Sequence, residues 1–177
     1  MDAKEILTVF VRANEDANRM LYDCLAGGPA GLLTRRGGYF RSVMGTLDHI
    51  LVSDLGWLNR FRDSPVSRPA LNAPAVDFTR PESGTLLIAD FGELRARREQ
   101  VDAVLRRFVE ELDDESLSLE VEQADRDGSV RRWTPAYVIL HLMNHATHHR
   151  GQISQVLDEA GIEHDFSGIM QAMRRWD

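Results

Sequence analysis

The stretch Thr134-Pro135-Ala136-Tyr137-Val138-Ile139-Leu140-His141-Leu142-Met143-Asn144-His145-Ala146-Thr147-His148-His149 governs the reading of the whole chain. Thr followed by Pro is a strong helix start: the hydroxyl accepts an orphan N–H, and proline at the first helical position costs no hydrogen bond. No proline and no glycine other than Gly151 follows until Gly161, so the spacing predicts a helix running to about Ala160. Four histidines, His141, His145, His148 and His149, fall on it, within an arc of about 100°. His145 and His149 stand one turn apart, at headings differing by about 40°, and two imidazoles so stacked can chelate one ion. His141 with His145 has the same spacing, and His145 with His148 is three apart, so periodicity leaves the pair open. Helical zinc proteases share this geometry. Here Ala146 stands where they carry a glutamate base, which excludes that class.

A third ligand has to come from another helix facing the core. His49, beside the apolar Leu47, Ile50 and Leu51, is the candidate. His164, in the polar stretch after Gly161, reads as a solvated loop residue. Cys24 is the single cysteine, so no intrachain disulfide and no thiolate cluster is available. It reads as a small core residue, and any metal must be held by nitrogen and oxygen.

Outward from this helix, the chain reads as further helices. Ile6, Leu7, Phe10, Val11, Ala17, Met20, Leu21 and Cys24 give helical spacing over 3–25, closed by Gly27-Gly28-Pro29. A second helix is expected from about Tyr39 to Arg62. Residues 63–84 hold Pro65, Pro69, Pro74 and Pro81 and read as a long surface loop. Leu87, Phe91, Leu94, Val101, Leu105, Phe108 and Leu112 mark a third helix over about 85–113. Leu117, Leu119 and Val121 alternate with polar residues, and Asp127-Gly128 supplies a turn before Val130 to Trp133, which predicts a hairpin. A short helix near Ser167 to Trp176 completes the chain.

With 177 residues, 43% hydrophobic and 28% charged, the expectation is one globular domain over 1–177. No run approaches the roughly 20 apolar residues of a membrane helix. The acidic start Met1-Asp2-Ala3-Lys4-Glu5 is unlike a signal peptide, so a cytoplasmic protein is expected. A net charge of -7 opposes broad nucleic-acid binding. Arg35-Arg36 and Arg97-Arg98 read as solvated faces. Arg150 reads as a helix brace with a buried carboxylate partner. Trp57 and Tyr39 read as core packing before pocket walls.

The run Asn144-His145-Ala146-Thr147-His148-His149-Arg150-Gly151-Gln152 resembles the signature of the DinB-like (DinB/YfiT) metal-binding four-helix-bundle family. Gly45-Thr46-Leu47-Asp48-His49-Ile50-Leu51, with Asp54 and Trp57-Leu58, is similar to that family's second-helix pattern, and the likeness covers almost the whole chain. The expected architecture is all-α: an up-down-down-up four-helix bundle, a short β-hairpin inserted before the fourth helix, and a short C-terminal helix. The resemblance implies that His49, His145 and His149 are the metal ligands, with His148 a neighbour that does not ligate. It also implies a small-molecule substrate, a low-molecular-weight thiol as co-substrate, and a homodimer. Three neutral imidazoles leave a divalent ion, zinc or nickel, with an open position, the catalytic pattern. Each ligand's second ring nitrogen needs an acceptor, for which Asp48, Asp54, Asn144 and Gln152 are candidates. The expected activity is thiol-dependent S-transfer or hydrolysis. The alternative is a metal-binding stress- or damage-inducible protein without turnover.

Overall fold

The computed structural model describes residues 2–36, 39–124, 127–166 and 168–169. Its elements run α1 (Ala3–Ala26), α2 (Val43–Arg62), α3 (Phe91–Glu111), α4 (Asp114–Ser118), β1 (Val121–Ala124), β2 (Val130–Trp133) and α5 (Pro135–Glu159). The helix starts follow from local chemistry. Asp2 and Glu5 form a capping box on α1, and Ser42, Asp90, Asp113 and Thr134 each offer a side-chain oxygen to the third residue beyond.

The four long helices form a bundle in which α1 packs on α3 and α5, and α2 packs on α5 and α3. Pairs along their seams give the directions. Lys4 meets Glu110, and Asp23 meets Arg95, so α1 and α3 are antiparallel. Asp54 meets Arg98 and Phe61 meets Phe108, so α2 runs parallel to α3. His49 meets His145 and Trp57 meets His141, so α5 runs antiparallel to α2. The order is therefore up-down-down-up, as expected. The core holds Leu51, Leu55, Leu58 and Phe61 of α2 against Leu94, Leu105 and Phe108 of α3 and Ile139, Leu142 and Leu157 of α5, all without exposed surface. The hairpin pairs Val121 with Trp133. Trp133 then packs edge-on against Trp57 and Phe61, which anchors the hairpin to one end of the bundle.

Four boundaries differ from the sequence expectation. The second helix begins at Val43, because Arg41 sits at a left-handed φ of 69° and Ser42 caps the turn. The third begins at Phe91, since the N–H groups of Leu87 and Ile88 are donated to the Asp48 carboxylate at 3.1 and 3.0 Å. Leu117 belongs to α4, where Asp113 caps a single turn, and pairing starts only at Val121. The proline-rich segment is a surface loop only in part: residues 77–84 are irregular and mostly exposed, but the stretch before them is not. It forms two short 3-10 turns, Pro69–Asn72 and Pro74–Val76, whose Leu71 and Val76, with nearby Val66, are buried in the core. Apart from 168–169, the predicted C-terminal helix lies outside the described residues. Among the described residues, no helix is long and apolar enough to cross a membrane.

Candidate metal centre

The fold brings His49 of α2 to His145 and His149 of α5. Nε2 of His145 lies 3.0 Å from Nε2 of His49 and 3.0 Å from Nε2 of His149. One nitrogen from each ring lies within 4.8 Å of the others. The other two histidines of α5, His141 and His148, are exposed and stay outside the cluster. Helical spacing alone left three pairs open; the antiparallel approach of α2 selects the 145/149 pair, because only that pair faces residue 49.

An imidazole nitrogen has one in-plane site, either an N–H or a lone pair. His145 Nε2 faces two other nitrogens, so one approach can be a hydrogen bond but not both. A cation between the three lone pairs relieves all of the contacts together. Two nitrogens ligating one ion at about 2.1 Å stand about 3.0–3.4 Å apart at ordinary ligand angles, and the observed spacing fits. A proton does not serve as that cation near neutral pH. Burial lowers the proton affinity of His49, with His149 and Arg80 adding repulsion, to about 4. Burial does the same for His145, with the other histidines adding repulsion, again to about 4. Burial also lowers His149, although its bond to Gln152 pulls the other way.

Gln152 fixes the tautomer of His149. Its Oε1 accepts from His149 Nδ1 at 2.8 Å, while its Nε2 donates to His148 Nε2 at 3.2 Å. The His149 proton is thereby held on Nδ1, and the Nε2 lone pair faces the cluster. Of the four expected acceptors, Gln152 alone takes this role. Asp48 is committed to Leu87 and Ile88, Asp54 to Arg98, and Asn144 is exposed. The buried Nδ1 of His145 has no hydrogen-bond partner among the described residues.

Phe40 was not flagged by its sequence context. Its ring stacks on His49 at 3.7 Å between centroids and meets His149 edge-on at 5.4 Å. Gly45 makes this possible, because a Cβ there would stand 2.3 Å from the Phe40 carbonyl oxygen. Asp48 pins the 87–88 segment, and between the stretch preceding it, Arg80 to Leu86, and Phe40 a cleft of about 620 Å³ opens onto His49. Tyr39, which is 88% exposed, lines this cleft and does not pack in the core. Trp57 packs against the core as expected.

Behind the cluster lies a polar network within the core. Arg98 is 2% exposed, donates a hydrogen bond to Asp54 at 2.7 Å and forms an ion pair with Asp102 at 2.8 Å, so its reading as a solvated residue is wrong. Asp102 also accepts from Asn18. Arg150, next to His149, donates to Asn14 and Asn18 at 2.5 and 2.9 Å. It braces α5 against α1 as expected, but through amide oxygens rather than a carboxylate. His164 is not solvated either. Its side chain is 8% exposed, and Nδ1 lies 2.9 Å from the Ile162 carbonyl.

The comparisons with known proteins agree with this arrangement. The profile described as "DinB family" matches residues 1–167. A curated relative, Protein DinB of Bacillus subtilis (strain 168), is 26% identical over 126 residues, which is 69% of this chain and 66%, just under two thirds, of the relative. No solved structure gives a significant match. With a family match that spans nearly its whole length, over a helical bundle that gathers three histidines, the chain belongs to the DinB family.

Proposed function

We propose that the protein is a metal-dependent enzyme that holds one divalent ion, zinc or nickel, on His49, His145 and His149. The observation that carries this reading is the convergence of three Nε2 atoms beside an open cleft. Among the described residues no carboxylate or thiol joins the three nitrogens. A purely structural site would use four protein ligands. Bound there, the ion supplies Lewis acidity that lowers the proton affinity of a thiol or water.

The favoured reaction is S-transfer from a low-molecular-weight thiol to a small electrophile. The sulfur bonds to the electrophilic carbon, the leaving group departs with its electron pair, and the thiol proton passes to solvent. Hydrolysis of a small molecule stands second, because Asp48 and Asp54, the nearby carboxylates of α2, are both engaged elsewhere. A stress- or damage-inducible metal binder without turnover is the competing reading, and the Phe40 ring covering one side of His49 favours it. On the main reading the protein acts in the cytoplasm as a homodimer, paired through the exposed α5 face that bears Tyr137 and Leu140.

The test supplies metal-loaded protein with a panel of cellular thiols and a chloronitrobenzene electrophile. A thiol-dependent rate at least about 100-fold above the His49→Ala variant is expected. No excess over that variant with any thiol would remove the transferase reading.

A further inference from the structure

The arginines of this chain are mostly engaged. Arg12, Arg19, Arg62, Arg95, Arg98, Arg106 and Arg132 face carboxylates, and Arg60 lies over the Trp57 ring. Arg41 and Arg80 differ. Both are exposed, both line the cleft at His49, and neither meets a carboxylate among the described residues.

Their placement is built by the fold. Arg80 lies across α2 at Gly56, where a Cβ would stand 2.8 Å from its Nη2 and 3.7 Å from Nη1 of Arg60. Both guanidiniums thus lie close to the helix surface at Gly56. Arg41 also lines the cleft, directly after Tyr39 and Phe40 in the chain. The acid lining the cleft is Asp48, whose two oxygens already accept backbone N–H groups. The cleft thus carries two guanidiniums against one carboxylate, with apolar surface beside them, and its 620 Å³ is the size of a small-molecule site.

We infer that the cleft binds a small organic molecule through an oxyanionic group, carboxylate or phosphate, held by the guanidiniums of Arg41 and Arg80. The planar fork of each arginine matches either group. The proposal deepens the reading of the cleft as a substrate site and rests on it. It makes the two arginines specificity residues, with the apolar body of the ligand against Phe40 and Val52 and its other end toward His49.

The probes are benzoate, phenyl phosphate and, as the neutral isostere, benzamide, titrated by NMR into metal-loaded wild type, Arg41→Gln, Arg80→Gln, the double variant and His145→Ala. Circular dichroism checks that each variant is folded, which the exposure of both arginines favours. At least one anion is expected to saturate with a dissociation constant on the order of 1 mM, with benzamide about tenfold weaker or more. Each single variant is expected to lose part of the anion preference and the double variant all of it, while His145→Ala retains it. Equal binding of benzamide, no saturation by either anion, or a double variant that binds like wild type would overturn the inference. Loss of all anion binding in His145→Ala would also overturn it, since the anions would then be ligands of the ion alone. Anion preference in a protein that takes up no metal would sink the metal reading and leave this one standing.

Discussion

His49 Nε2 and His145 Nε2 lie 3.0 Å apart although 96 positions separate them in the chain. Neither residue has a reason to approach the other for hydrophobic packing. What holds them together is the antiparallel seam of α2 and α5, in which Leu51, Leu55, Leu142 and Ile153 bury nearly all of their surface. The bundle core therefore pays the electrostatic cost of crowding three imidazoles, and a bound cation would recover it.

Gln152 orients His149 through the bond to Nδ1. Replacement by alanine should lower metal affinity by about 10- to 100-fold while leaving the fold intact. Competition with a chromophoric chelator measures the affinity, and circular dichroism measures the fold. An unchanged affinity would mean that the amide has no part in setting the tautomer.

Arg98 is the guanidinium paired with two buried carboxylates, Asp54 and Asp102. Arg98→Met leaves both without their cation and should cost about 3–5 kcal/mol in urea unfolding. A loss below about 1 kcal/mol would show that the carboxylates are already neutral in the wild type.

How far these residues could be read from the sequence differs from case to case. Helical periodicity reveals His145 and His149 as a stacked pair, and an imidazole among Leu47, Ile50 and Leu51 marks His49 as unusual. The up-down-down-up bundle follows from long apolar stripes and sharp caps. Arg98 was misread because adjacent arginines on a polar helix usually face water, and Asp54 comes from a different helix. Its i,i+4 partner Asp102, and Asn14 and Asn18 on the inner face of α1, were the available signals. Phe40 was beyond reach, since its place over His49 depends on a turn that Gly45 permits only in three dimensions. The proline-rich segment misled for a simpler reason: proline forbids long regular elements but not short 3-10 turns, which here bury Leu71 and Val76.

Leu71 tests that last point. It has no exposed surface, and the 3-10 turn that carries it packs on α3. Leu71→Ala should destabilise the protein by about 2–5 kcal/mol, as for a helix-core leucine. A change of less than about 0.5 kcal/mol, typical of surface loops, would contradict the packing described.

The depressed proton affinities of His49 and His145 set a pH dependence. Each titrates at about 4 in the folded chain against 6.5 for an ordinary histidine. Between those values the unfolded chain binds more protons, so their contribution is full above 6.5 and is lost as pH falls toward 4. Urea midpoints of the metal-free protein should therefore drop across this window, and the slope should flatten in His145→Ala. The same slope in both proteins would place the titration elsewhere.

The most direct measurement is elemental analysis of tag-free protein after metal loading and dialysis, with His145→Ala and His148→Ala carried alongside. One divalent ion per chain is expected in the wild type and in His148→Ala, and none in His145→Ala. A wild type that takes up no ion, or a His145→Ala variant that keeps a full complement, would contradict a three-histidine metal centre.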